Sequence, residues 1–330
     1  MKAFSRIHNY IDRVYRQKIA CEQYPMLSFV DRKKKRTEGA IGMVYMLHHI
    51  TEKDSRRIPT NEDLKVSPEF LEKTILRYKA KGFDFISLDR LNDIIKSDDV
   101  PEQPFIAFTI DDGYLDNYMK ALPVFERHQV PFTIFVATDF IDKKAILWWD
   151  SIEELIMTHK KIVTSDGKCY SCESFQQRWD TFRYLRERIL CLDQSRLEDK
   201  LEEMFTNYQI DWYEPVKQKG MSWDHVVSLA NHPLCTIGAH TISHPALSKL
   251  TTLEALDEMK SGRERIEREI SQPVSYFAYP YGTPNEVSER EIRQAEDLGF
   301  NLAFCAHGGC ITKDNKSRFF QLPRVYFRES

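Results

Sequence analysis

From residue 40 onward the chain alternates between two hydrophobic patterns. Short apolar runs, rich in β-branched and aromatic residues, occur at 40–47 (AIGMVYML), 83–88 (FDFISL), 105–110 (FIAFTI), 132–137 (FTIFVA), 234–239 (LCTIGA), 275–279 (SYFAY), 302–306 (LAFCA) and 324–327 (RVYF). They are continuous rather than alternating, as strands buried on both faces of a parallel sheet require. Helical periodicity fills several of the gaps. Residues 67–81 open on Ser67-Pro68, an N-cap and first helical residue, and stop at Gly82. Residues 252–270 place Leu256, Met259, Ile266 and Ile270 on one face, with Thr251 and Glu254 spaced for a capping box. Residues 289–298 repeat the device with Ser288 and Glu291 and close at Gly299. The alternation predicts an α/β fold, and the number of strand-like runs favours a barrel over an open sheet.

Two stretches fall outside this rhythm. Residues 1–38 read as a polar, partly helical N-terminal extension. Residues 151–222 are charged and helix-patterned, and read as an insertion packed beside the barrel within a unit spanning 39–330. No internal repeat or low-complexity tract occurs.

Composition narrows the function classes. The 330 residues are 42% hydrophobic, enough for a sizeable core, and the net charge of -3 gives no global basic field for nucleic acid. The basic run Arg32-Lys33-Lys34-Lys35-Arg36 reads as a solvated loop, or more sharply as a contact for an anionic glycolipid or membrane surface. No stretch approaches the roughly 18 apolar residues of a transmembrane helix. The opening MKAFSRIHNYIDRVYRQ lacks the apolar core of a secretory signal, so a cytoplasmic location with reduced thiols is expected. Among seven cysteines, Cys169 and Cys172 form a CxxC without the second pair that a zinc ribbon needs.

Candidate chemistry gathers at predicted strand ends, the functional face of parallel α/β folds. Asp111 and Asp112 follow the run 105–110, and neighbouring side chains on an extended chain point different ways. One carboxylate can face a metal while the other faces a substrate, and Gly113 lets the chain turn away. After the run 234–239 comes His240-Thr241-Ile242-Ser243-His244, two imidazoles four apart that share one face if they lie on a helical turn. After the run 275–279 comes Pro280-Tyr281-Gly282, a shaped loop with backbone N–H groups to offer. Each motif alone is more often a turn or a pair of bystander histidines. Together they make one carboxylate and two imidazoles, an open zinc-type site with a position left for water.

FTIDDGY, GAHTISHPAL and FAYPYG resemble the first three motifs of the polysaccharide deacetylases, the NodB-homology or carbohydrate esterase family 4 proteins. The flanking segments MVYMLHHI, MSWDHVVSLANHPLCTIGAHTISHP, EDLGFNLAFC and LPRV fit the same resemblance, which covers roughly residues 40–140 and 220–327. It implies a distorted (β/α) barrel of the NodB type with a helical insertion. It further implies a divalent metal, usually zinc with cobalt, nickel or iron as alternatives, on Asp112, His240 and His244. Asp111 would be the general base, and the backbone N–H of Tyr281 would help stabilise the oxyanion. The substrate implied is an N-acetylated carbohydrate or glycan precursor, and the activity is carbohydrate N-deacetylation.

The chain departs from the family pattern twice. Ala278 stands where many members carry an arginine that pairs with the base, and Arg324 is the expected replacement. The leucine-x-histidine motif that supplies the acid is absent, leaving His48 and His307 as candidates. Trp148, Trp149 and Asp150 suit stacking on a sugar face with a polar partner, or packing beneath the insertion. Asp116 and Asn117 receive no role. The competing functions are an O-acetyl esterase or amidase with the same metal site, and a catalytically inactive glycan-binding relative. A cytoplasmic location would favour a nucleotide-linked or lipid-linked sugar as substrate.

Overall fold

The computed structural model describes residues 40–97, 101–312, 315 and 318–329; the predicted N-terminal extension and its basic run lie outside them. Among the described residues the main sheet has nine strands: β1 (Ala40–Leu47), β2 (Asp84–Phe85), β3 (Phe105–Asp112), β4 (Phe132–Val136), β5 (Cys235–Ala239), β6 (Tyr276–Ala278), β7 (Leu302–Phe304), β8 (Ile311–Thr312) and β9 (Val325–Tyr326). The spatial order is β7-β6-β5-β4-β3-β1-β8, with β2 also paired to β3 and β9 to β1. Only β8 runs antiparallel to its neighbour; the other pairings are parallel. The principal helices are α1 (Pro68–Lys79), α2 (Leu88–Lys96), α3 (Leu122–His128), α4 (Trp148–Thr158), α5 (Phe175–Leu190), α6 (Trp223–Ala230), α7 (Thr252–Ile270) and α8 (Glu289–Asp297).

The sheet curls into a distorted barrel, and an irregular segment bridges its open side. Leu322 bridges to Phe304 of β7, and three residues later Val325 pairs with Tyr45 of β1. Arg324 lies between these two attachments.

Side-chain parity divides the core. Phe105 and Ala107 of β3 join Val44, Phe135, Ala278 and Phe304 in an interior cluster. Ile106, Phe108 and Ile110, of opposite parity, pack in the larger cluster that includes residues of α1, α3, α6 and α7. The aromatic rings inside the barrel need small residues opposite them. A Cβ at Gly42 would stand 2.4 Å from the Phe105 ring, and one at Gly238 would stand 2.4 Å from the Phe135 ring. A third cluster, built on Trp148, Ile152, Phe182, Leu185 and Trp212, belongs to the insertion. That stretch is more than helices: Lys161–Val163 and Cys169–Ser171 form an antiparallel hairpin. It returns to the barrel where the Met221 N–H donates to the Gly113 carbonyl at 2.9 Å.

Several boundaries differ from the sequence reading. The run 83–88 yields only Asp84–Phe85, because Ser87 caps α2 by accepting from the Arg90 N–H at 3.2 Å. The strand 105–110 continues through both aspartates. The caps at Ser67, Thr251 and Ser288 form as their spacing predicts. Cys169 and Cys172 are free thiols, one exposed and one buried. No helix among the described residues is long and apolar enough to cross a membrane.

The tight interior generates a stability test. Gly42→Ala forces a methyl group into the Phe105 ring and is expected to cost about 1–3 kcal/mol, read by urea denaturation.

Candidate active site and metal centre

Four strand ends and the bridging segment converge here. The parity of β3 puts Asp111 on the interior side with Phe105, Ala107 and Thr109. There it meets Arg324, which is fully buried. Arg324 Nη1 donates to Asp111 Oδ1 at 2.6 Å and Nη2 to Oδ2 at 2.7 Å, a two-pronged pair. Nη1 also donates to Thr109 Oγ1 at 3.1 Å, and that hydroxyl donates to the Tyr45 carbonyl at 2.7 Å. The guanidinium carbon sits 5.5 Å from the Phe135 ring centroid. Burial pushes the Asp111 carboxyl up, but the charge and hydrogen bonds of Arg324, with the nearby imidazoles of His240 and His48, together hold the group below its ordinary value.

Asp112 takes another direction. Its φ of 80° is left-handed, a strained state for a residue with a side chain, and Gly113 follows at 111°. Asp112 Oδ1 lies 3.4 Å from Nε2 of both His240 and His244. His240 follows β5, and its Nδ1 lies 2.6 Å from the Ala278 carbonyl. A carbonyl only accepts, so Nδ1 donates to it, which leaves Nε2 as the nitrogen facing Asp112 and placed to ligate.

The two histidines are not on a helical turn, as their spacing had suggested. Residues 240–244 form a loop in which Thr241 (φ 71°) and His244 (φ 63°) are left-handed. The loop, not the helical repeat, brings the imidazoles together, with ring centroids 4.9 Å apart.

These residues fit a divalent cation. Asp112, His240 and His244 each offer a ligand atom, and the three atoms lie within 4.8 Å of one another. Asp112 Oδ1 is buried with no hydrogen-bond partner, an arrangement costly for a carboxylate unless a cation completes it. Burial pushes His244 down to about 4, so it is neutral and able to ligate near pH 7. Burial opposes the Asp112 charge, yet the three neighbouring imidazoles hold its carboxyl well below the usual range.

His48, in the break between β1 and the short strand His49–Ile50, is electrostatically coupled to Asp112 and Asp111, and burial pushes its pKa below the ordinary value. His307 is exposed, and its charged neighbour is Arg318 rather than either aspartate.

Tyr281 (φ 59°) lies beside His244, with ring centroids 4.8 Å apart, and its hydroxyl accepts from Trp148 Nε1 at 3.1 Å. Trp148 corrects the expectation of sugar stacking. Its ring is 2% exposed and packs in the insertion core, so it offers no face to a ligand. Trp149 is half-buried, 5.5 Å from the His244 ring. Asp150 pairs with Lys219 at 2.8 Å, while its Oδ2 has no partner.

The structure gives contacts to two residues to which the sequence assigned no role. Asn117 Nδ2 donates to the His48 carbonyl at 2.7 Å, and Asp116 binds His49 Nδ1 at 2.8 Å and the Ile50 N–H at 3.3 Å. Together they fix the chain around His48. Asn117 opens a five-residue π-turn, a device frequent near functional sites. Only their place five and six residues beyond Asp111 could have hinted at this.

Fold and site define the class: a NodB-type (β/α) barrel with an Asp-His-His group able to hold a metal ion. The chain belongs to the polysaccharide deacetylase family, hydrolases of N-acetyl amide bonds, whose profile matches residues 98–165 and 197–303, just over half its length. The unmatched stretch between them holds the second hairpin strand and α5.

A Bacillus subtilis protein, YxkH, named as a polysaccharide deacetylase, is 21% identical over 271 residues. The match covers 82% of this chain and 66% of the relative, just under two thirds of its length. The Streptococcus pyogenes deacetylase PplD, solved with acetate, aligns over 88% of this chain and 92% of its own, with a TM-score of 0.52 and 16% identity. IcaB from Ammonifex degensii aligns over 88% and 92% at 0.53 and 18%. A Bacillus cereus polysaccharide deacetylase aligns over 88% and 65% at 0.55 and 17%. At such identities the likeness is one of fold.

The buried pair makes a prediction. Arg324→Met leaves Asp111 buried and unpaired and is expected to cost about 3–5 kcal/mol at neutral pH, measured by chemical denaturation. Because Arg324 depresses the Asp111 pKa, the pair stabilises above the ordinary carboxylate range. That stabilisation is lost as pH falls through the lower folded value. The gap between wild type and variant therefore narrows in acid.

Proposed function

We propose that the chain is a metal-dependent hydrolase that removes the N-acetyl group from an amino sugar in a polysaccharide, oligosaccharide or glycan precursor. The observation that carries this reading is the pairing of roles at Asp111 and Asp112. One carboxylate is held ionised by a buried arginine; the other meets two imidazoles with an oxygen left unpartnered. A divalent cation, when bound by Asp112, His240 and His244, lowers the pKa of water toward about 7 and polarises the acetyl carbonyl. Zinc is the first choice for this donor set, with cobalt, nickel or iron as alternatives.

The chain's own residues do the rest. Asp111 accepts the proton of the attacking water, and Arg324 keeps that carboxylate ionised and aimed. The backbone N–H of Tyr281 would donate to the developing oxyanion, a contact of about 3 kcal/mol in comparable sites. The aromatic rings of Tyr281 and Trp149 border the imidazoles and limit water. His48 rests neutral, so it cannot begin as the acid. It accepts the proton from Asp111 and delivers it to the leaving nitrogen, after which the amine and acetate separate. This replaces a resting imidazolium acid with a relay. It also leaves Arg324 in the place of the family arginine absent at Ala278.

Elemental analysis is expected to find about one transition metal ion per chain, absent in His240→Ala. The metal-loaded protein is then expected to release acetate from N-acetylated glycans. Metal without amide cleavage but with cleavage of O-acetylated glycans would establish the esterase reading instead. No metal after reconstitution would leave the glycan-binding reading.

The relay predicts a pH profile. His48 must be neutral and Asp111 ionised, so activity holds down to pH values below the ordinary imidazole range before falling. His48→Asn is expected to lower kcat by about 10²–10⁴-fold and to change the position of that acid limb, which Asp111 and His244 alone would then set. An unchanged profile in the variant would remove His48 from the proton path.

A further inference from the structure

The loop between the two imidazoles is not self-supporting. Thr241 and His244 both sit in the left-handed region, and Thr241 is β-branched, for which that backbone is a genuine outlier. Such a conformation persists only where its surroundings over-determine it. Much of that support comes from one face of α7. Glu258 Oε2 accepts the N–H groups of Ile242 at 2.8 Å and Ser243 at 3.0 Å, while Oε1 accepts the Ser243 hydroxyl at 2.7 Å.

One turn further along the same face is Gly262. A Cβ there would stand 2.7 Å from the Thr241 carbonyl carbon and 2.8 Å from its oxygen, so only glycine allows this approach. The N–H groups of Thr138 and Asp139 also donate to the carbonyls of Thr241 and Ile242 at 3.3 and 2.9 Å.

Glu258 is an expensive residue to place here. Among the described residues no cation lies within salt-bridge distance of it, and burial pushes its carboxyl up. The nearby Asp139 is itself pushed up to about 6 by burial and then by Glu258. A carboxylate without a counter-charge among the described residues, whose three hydrogen bonds all go to the loop carrying both histidines, is placed for that loop.

We propose that Glu258 is a positioning residue for the metal centre. Its carboxylate, with the close approach at Gly262, fixes the 240–244 loop so that His240 and His244 share one divalent cation with Asp112. This rests on the metal-centre reading above.

The test is zinc affinity, measured on the metal-stripped full chain by competition with a chromophoric chelator. Glu258→Ala is expected to weaken zinc binding by about 10–100-fold, the effect typical of groups that orient metal ligands. Glu258→Gln, which keeps an acceptor oxygen, is expected to fall between it and wild type. Gly262→Ala disturbs the same loop by crowding and is expected to weaken binding as well. Ile266→Ala, a core truncation on the same helix, lowers the unfolding temperature but leaves affinity within about twofold.

Wild-type affinity in folded Glu258→Ala, Glu258→Gln and Gly262→Ala would overturn the proposal while leaving the metal site intact. Equal weakening by Ile266→Ala at a matched stability loss would also overturn it, since general docking of α7 would then explain the effect. Absence of zinc binding in the wild type, indistinguishable from His240→Ala, would overturn both this and the metal-centre reading.

Discussion

The structure depends on one buried ion pair. Removing a carboxylate and a guanidinium from water costs several kcal/mol per ion, and only near-complete hydrogen bonding offsets it. Asp111 and Arg324 approach that condition inside the barrel. The pair has two short parallel bonds, a third donor contact to Thr109, and a weaker one from Arg324 Nε to the Cys305 carbonyl at 3.4 Å. The irregular course of residues 319–324 follows from the same need. A regular strand there would serve the sheet, but the bridge through Leu322 and Val325 also delivers a guanidinium inward.

The second constraint is backbone strain. Asp112, Thr241, His244 and Tyr281 all have positive φ without being glycine. These are also the residues, or immediate neighbours of the residues, that carry the proposed chemistry. Regular strand and loop geometry would have sent Asp112 toward the outer face with Ile110. The left-handed turn sends it to the imidazoles instead. The stability lost locally is recovered by packing elsewhere, in the interior aromatic layer and in the outer shell of helices.

Much of this was legible in the sequence, for physical reasons. Continuous β-branched runs mark strands buried on both faces, so β1, β3, β4 and β5 could be located almost to the residue. Ser67-Pro68, Thr251 with Glu254, and Ser288 with Glu291 are local hydrogen-bonding devices, and local devices are readable. The grouping of Asp112, His240 and His244 was legible through motif resemblance at strand ends. What escaped were features that residue type and spacing do not record. The 83–88 run shrank because Ser87 capped a helix. The histidine loop looked helical because spacing does not reveal φ. Trp148 looked like a ligand platform because adjacent tryptophans carry no record of which one faces inward. Asp116 and Asn117 gained meaning only from their bonds to the chain around His48.

The bridging segment sets the order of assembly. Asp111 and Arg324 are separated by 213 residues, so their pairing is among the longest-range contacts in the molecule. During synthesis the strands from β1 to β7 emerge first, with a carboxylate facing an interior that has no counter-charge. Until the segment carrying Arg324 docks, that interior must stay hydrated or the carboxylate must stay protonated. The nascent barrel is therefore a wet, open sheet. Docking of the bridging segment supplies the charge that lets the core dry, so closure of the barrel and desolvation of the Asp111 carboxylate are coupled.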